Sequence, residues 1–373
     1  MAHSSTVLSQ IIRFLPRHEF EALAKRHHAG HELRSFNRWS QYLALMVAQA
    51  GGRKSLRDLV ENLKAQGRKL YHLGMRATNR STLARVNEQQ PHTLYEALFY
   101  KLLARCQGLA PKNRRFKVDG KVYLLDATLI SLCLSVFPWA TYRQKKGAVR
   151  LHVGLDADGY LPEFIAATEG SKPELAWAKA LKLPKGSVVV FDRGFTDYGW
   201  YQALTEAGVF FVTRLKSNAL VEYLRKRRGR KAKGVLQDQE VTLKGVSSRL
   251  RLVHFVADDG REYRFLTNAA HLPAATVADL YKERWQIELF FKWIKQNLKV
   301  KTFLGASKNA VLTQLWVALC VYLMLAWLSF TAKVGITVQR ILRLLQMNLF
   351  ERRDLKDLLE PPQVPQVAQL ALL

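Results

Sequence analysis

Two short apolar runs, each carrying one aspartate, constrain this chain more than any other feature. In "KVYLLDATLI" Asp126 breaks the apolar stretch, and in "GSVVVFD" Asp192 ends it. Unbroken runs of this kind mark strands buried on both faces, because a strand with one wet face alternates. The runs therefore predict central strands of a covered sheet. A carboxylate left alone there costs on the order of several kcal/mol, so each Asp needs a partner or a metal. Thr128, two residues along, shares the face of Asp126. After Asp192, "RGF" supplies a glycine for a sharp turn and leaves the acid at the strand's carboxyl end. Local uses also exist: Asp126 as a turn cap, Asp192 as a partner for Arg193.

The surrounding pattern extends the sheet. "VRLHVGLDADGYLPEFIAAT" reads as a hairpin turning at Asp156 to Gly159, "ELAWAKALK" and "TDYGWYQALTEAG" as helices, and "VFFVTRLK" as a strand. That order makes residues 119–216 an α/β domain with a mixed sheet. Residues 217–262 interrupt it as an inserted β subdomain. Its basic loop, "LRKRRGRKAKG", puts seven basic residues in the nine positions from Arg225 to Lys233. Residues 263–335 return to the domain through a helix at about 275–299 and an apolar helix, and residues 336–373 form a helical tail. Residues 1–110 read as all-helical. There Ser55 caps one short helix, with Asp58 in its first turn, and Ser81 opens another. The pair resembles a helix-turn-helix, although any small helical bundle presents the same pattern.

Charge points to the partner. Among 373 residues, 58 Lys and Arg against 30 Asp and Glu give a net +28. A surface that positive repels itself unless it meets a polyanion, and nucleic acid binding gains from counterion release. Three cysteines without a C-x-x-C pair suit a reducing cytosol and argue against structural zinc. No signal-peptide pattern opens the chain. The uncharged stretch 309–332 is long enough to span a bilayer. It is solitary and flanked by basic sequence on both sides, so the expectation is a helix buried against a sheet, in a protein without a membrane role.

The helix "YKERWQIELFFKWIKQNLKV" supplies a third acid. Wound at 3.6 residues per turn, Tyr281, Arg284, Glu288 and Lys295 fall within an arc of about 60°, with Lys292 and Lys299 on the same stripe. Pairs of Glu288 with Arg284 and Lys292 would stabilise an exposed helix by a few tenths of a kcal/mol each. They leave Tyr281, Lys295 and Lys299 unexplained. Three carboxylates from two buried strands and one helix are the oxygen ligands that hard Mg²⁺ favours. Two such ions suit phosphodiester chemistry. Asp156 and Asp158 belong to a turn, His152 reads as a packing residue, and no Walker A sequence is present.

The spacing Tyr281-x2-Arg284-x3-Glu288-x6-Lys295 resembles the YREK signature of IS4-type DDE transposases. "LLDATLI" and "VVVFDRGF" are similar to that family's two Asp motifs, and "FFVTRLKSNA" to the segment that follows them. The resemblance covers roughly 119–330. It implies an RNase H-like fold and a triad of Asp126, Asp192 and Glu288 holding two Mg²⁺ or Mn²⁺ ions. Tyr281, Arg284 and Lys295 would hold DNA phosphates near the cleaved end. It further implies a homodimer on double-stranded transposon ends, with terminal inverted repeats and target DNA as substrates. Water would first free a 3′-hydroxyl, and in some members that hydroxyl then forms a hairpin. Hairpin-forming relatives place a Trp in the β insertion to stack on a flipped base. Residues 217–262 contain none, leaving Tyr223 or Phe255 as π-faces.

The expectation is thus a cut-and-paste insertion-sequence transposase of the bacterial cytoplasm and nucleoid, with 1–110 as a helical DNA-binding domain. Lys292, Lys299, Arg225, Lys226, Arg227, Arg228 and Arg230 are expected to add phosphate contacts. The alternatives are an RNase H-like nuclease without strand transfer and a non-catalytic, transposase-derived regulator.

Overall fold

The computed structural model describes residues 5–30, 33, 36–76, 78–110, 116, 118–143, 146–227, 232–298, 302–332 and 335–360. It resolves into two units. One comprises Met1–Leu109 with Asn297–Leu373, and the other Ala110–Gln296.

Among the described residues the first unit begins with seven helices: α1 (Val7–Ile12), α2 (Arg17–Arg26), α3 (Arg38–Ala50), α4 (Leu56–Ala65), α5 (Gly67–Tyr71), α6 (Arg80–Gln89) and α7 (Thr93–Gln107). Side-chain caps start four of them. Thr6, Asn37, Ser55 and Asn79 each accept a backbone N–H of the first turn.

The second unit is built on one sheet. Its strands are β1 (Val122–Leu132), β2 (Thr141–Arg143), β3 (Lys146–Asp156), β4 (Pro162–Glu169), β5 (Val188–Phe191), β6 (Phe210–Arg214), β7 (Val221–Lys226), β8 (Val235–Leu243), β9 (Val246–Val256) and β10 (Glu262–Thr267). Their order is β2-β3-β1-β5-β6-β10-β9-β8-β7, with β4 also on β3. Pairs β1–β5 and β5–β6 are parallel and the others antiparallel, so the sheet is mixed as expected. Parallel neighbours need crossovers, which α8 (Glu174–Lys179) and α9 (Tyr198–Glu206) supply. The inserted strands join through β10, which bonds to both β6 and β9. They also share a core: Val241, Leu243, Leu250 and Leu252 belong to one buried cluster with Tyr123, Leu125, Phe191 and Phe211.

Two features depart from the sequence reading. The expected helix at 275–299 is two helices, α10 (Ala274–Glu283) and α11 (Trp285–Asn297), meeting at Arg284. There the hydrogen bonds tighten to three-residue spacing, Arg284 N–H to Tyr281 O and Ile287 N–H to Arg284 O, both at 3.2 Å. The apolar stretch forms α12 (Lys308–Thr331), followed by α13 (Val338–Asn348) and α14 (Leu355–Leu359). Among the described residues its main neighbours are the helices α3, α6, α7 and α13, and it groups with the N-terminal helices. A helix apolar on all sides must be surrounded, and a sheet covers only one side. Of its most apolar window, 89% is buried inside the protein.

Candidate active site

Register brings the two aspartates together. β1 and β5 run parallel with Leu125 opposite Phe191, both in the core cluster on one face. One residue further, Asp126 and Asp192 turn to the other face at the same level. Asp192 remains extended (φ −82°, ψ 173°) and caps the short 3₁₀ turn Arg193–Phe195. Its Oδ1 accepts the Gly194 N–H at 2.7 Å. A Cβ on Gly194 would lie 2.8 Å from that oxygen, so the glycine of "DRGF" is what lets the cap close.

The helix junction supplies the third acid. Arg284 donates to Glu288 at 2.5 Å and stands 3.5 Å from Asp126 Oδ2, bridging strand and helix carboxylates. Lys295, two turns beyond Glu288, donates to Thr128 Oγ1 at 2.5 Å. Tyr281 packs on Phe265 with ring centroids 4.9 Å apart, under the Arg284 guanidinium. Among the described residues, no group of three or more His, Cys, Asp and Glu is gathered tightly enough to enclose an ion. A guanidinium counter-charges the pair instead.

The electrostatics fit a cation site. Burial pushes the Asp126 carboxyl up to about 7. The Ala127 N–H and Arg284 oppose that rise, while Asp192 and Glu174 add to it. Glu174, at the start of α8, is likewise raised, chiefly by burial and further by Asp192, although it pairs with Arg150. Sequence reading missed Glu174, because a Glu opening a helix looks like an ordinary first-turn acid. Burial, with the charge of Asp192 beside it, makes Asp126 and Glu174 hard oxygen donors that a divalent cation would relieve.

The remaining predicted residues divide. Lys292 is exposed on α11, and Lys226 is exposed at the end of β7. Arg225 lies in β7, not in a loop, and forks onto Glu240 through two bonds of 2.8 Å. Arg227 donates to Ala270 O at 2.8 Å and lies 3.7 Å from Asp238. Arg225 and Arg227 are thus engaged by acids across the sheet, which sequence adjacency alone did not reveal. Arg228, Arg230 and Lys299 lie outside the described residues. Beside Arg284 a cleft of about 570 Å³ opens, lined by Arg214, Phe255, Tyr263, Phe265, Tyr281 and Trp285 among others. Tyr223, the other aromatic considered for stacking, is exposed on β7 and accepts a bond from Arg264 at 3.3 Å.

A family model described as "Transposase DDE domain" matches residues 118–324, more than half of the chain. The chain belongs to the DDE transposases. It is a DNA-binding enzyme that cleaves DNA and transfers strands, and it depends on divalent metal. Residues 3–76 of this transposase match a domain of unknown function, DUF4372. The transposase y4zB of Sinorhizobium fredii, so named in its description, is 35% identical over 75% of this chain and 80% of its own length. The protein named as transposase of insertion sequence element IS5377 in Geobacillus stearothermophilus is 29% identical, covering 66% and 67%. The one named for element IS4SA in Synechocystis is 23% identical, covering 86% and 89%. A solved piggyBac transposase synaptic complex with hairpin DNA covers 97% of this chain and 80% of its own. Its identity is 14% and its TM-score 0.48, too weak to carry weight. The IS4-type resemblance holds, and the sheet is mixed and flanked by helices as expected.

Proposed function

We propose that this transposase moves an insertion sequence by cutting at its terminal repeats, with Asp126, Asp192 and Glu288 as the catalytic carboxylates. The supporting observation is the juxtaposition of Asp126 and Asp192 on one sheet face, with Arg284 linking Asp126 to Glu288. These three would hold two Mg²⁺ or Mn²⁺ ions. When bound, such ions activate an attacking oxygen and stabilise the leaving one. Tyr281, Arg284 and Lys295 would grip phosphates of the cleaved end, with exposed Lys292 extending the track. Arg225 and Arg227 would serve chiefly to hold the inserted strands together, since both already face acids.

Two further assignments belong to this reading. The helical N-terminal part would bind DNA through the cleft where α4 and α6 begin, lined by Ser55, Arg57, Arg80 and Ser81. No acid pairs with Arg57 or Arg80 among the described residues. Synapsis of two ends would need a homodimer acting at the bacterial nucleoid. A hairpin route would draw on the aromatic cleft beside Arg284, where Phe255, Tyr263 and Trp285 stand in for the tryptophan that the insertion lacks.

The test uses the full chain on a duplex carrying the element's own end, with Mn²⁺ or Mg²⁺. Wild type should nick the end, and Asp192→Asn should lower that rate by on the order of a hundredfold or more while retaining DNA binding. Equal cleavage by both would overturn the assignment. A hairpin product on a sequencing gel would decide the route.

A further inference from the structure

The β3–β4 turn contains an arrangement that is costly unless it does something. Among the described residues Tyr160 is the one non-glycine with positive φ, at 54°. A side chain with a Cβ is disfavoured in that left-handed region, and glycine or asparagine is the usual occupant. The Tyr160 hydroxyl donates to Glu283 Oε1 at 2.5 Å. Glu283 is unfavourable in its own right. It is 4% exposed and is the last residue of α10, where the helix dipole repels negative charge. Two locally unfavourable choices thus meet in one hydrogen bond, and such coincidences concentrate where geometry serves function. The bond falls at the junction where α10 gives way to α11 through Arg284.

We propose that Tyr160 and Glu283 are positioning residues that set the α10–α11 break, and so aim Arg284 and Glu288 at Asp126. The inference rests on the reading of Asp126, Asp192 and Glu288 as the catalytic carboxylates. The tether holds the end of α10 from the turn between β3 and β4, and β3 flanks β1. Without it, nothing in the α10–α11 sequence, which has no proline or glycine, dictates a break at Arg284.

The test compares full-length wild type with Tyr160→Phe, Tyr160→Gly, Glu283→Gln and Glu283→Ala. Two readouts are used: hydrogen exchange of the 281–288 amides, and kcat and KM for end cleavage with Mn²⁺. Loss of one charge-assisted bond predicts exchange faster, and kcat lower, by on the order of tenfold in Tyr160→Phe, with the fall in kcat exceeding any rise in KM that the shift of Arg284 brings. Glu283→Gln keeps an acceptor oxygen and should stay near wild type, whereas Glu283→Ala, which also removes the other contacts of Glu283, should be at least as slow as Tyr160→Phe. Tyr160→Gly relaxes the turn while deleting the hydroxyl. It should unfold at a higher temperature than Tyr160→Phe yet share its low kcat. Wild-type exchange and kcat in Tyr160→Phe would overturn the proposal, as would recovery of kcat in Tyr160→Gly. If Asp192→Asn cleaves as well as wild type, the catalytic reading falls, and the exchange data still judge the tether alone.

Discussion

Arg284 donates to Glu288, one helical turn further on, at 2.5 Å. Its other terminal nitrogen reaches Asp126 at 3.5 Å, so one guanidinium sits between two of the three carboxylates. It is 15% exposed, shielded enough for the contact to matter beyond surface screening.

A guanidinium in that position competes with metal. Arg284→Ala should raise the affinity of the DNA-free protein for Mn²⁺ by on the order of tenfold, because an opposing charge is lost beside two carboxylates. The same variant should cleave DNA more slowly. Titration followed by electron paramagnetic resonance measures the first effect, and unchanged Mn²⁺ affinity would remove Arg284 from this role.

Asp126 gives a pH dependence with a definite sign. Its folded carboxyl is raised to about 7 from an ordinary value near 3.8, so the folded state binds the proton more tightly. The stability it contributes is fully present below its unfolded pKa and is lost as pH rises towards 7. Without metal, the melting temperature of wild type relative to Asp126→Asn should therefore fall between about pH 4 and pH 7 and level off above. Saturating Mn²⁺ should reverse the trend for wild type only. Parallel melting curves for the two proteins across that range would contradict the burial argument.

Thr128 holds the Lys295 ammonium at 2.5 Å from its hydroxyl. Thr128→Val keeps the shape of the side chain and removes the acceptor. If Lys295 grips a phosphate, the variant should raise KM for DNA by several-fold, about 1 kcal/mol, with kcat and melting temperature little changed. Thr128→Ser should restore binding. Steady-state cleavage kinetics separate these outcomes.

On the helical unit, Arg57 and Arg80 line one cleft. Replacing both with Ala should weaken binding to duplex DNA and reduce the slope of log K against log salt by about 2. Cleavage at saturating DNA should persist. A salt slope equal to that of wild type would move the DNA contact elsewhere.

The strands of the catalytic sheet were legible because burial on two faces writes itself as an unbroken apolar run. Asp126 and Asp192 stood out against that background, and their adjacency follows from a parallel register. The break at Arg284 was not legible. The stripe from Tyr281 to Lys295 obeys a continuous helical period, and the tether that coincides with the break comes from Tyr160, distant in sequence. Arg225 misled for a related reason. A basic run looks like a free loop until the strand opposite presents Glu240. The environment of α12 was half legible: composition required burial, but only the fold names helices as the partners.

The order of the units along the chain bears on synthesis. The helical unit leaves off at Leu109 and resumes at Asn297, with the whole catalytic unit between. Helices α3 and α7 therefore emerge from the ribosome long before α12, the apolar helix they enclose. Until then their inner faces lack their main occupant, while the intervening sheet has all its strands available to fold. A nascent chain halted before Lys308 would carry a finished catalytic sheet attached to an open, sticky helical shell. Synthesis through α12 is thus what closes the helical shell.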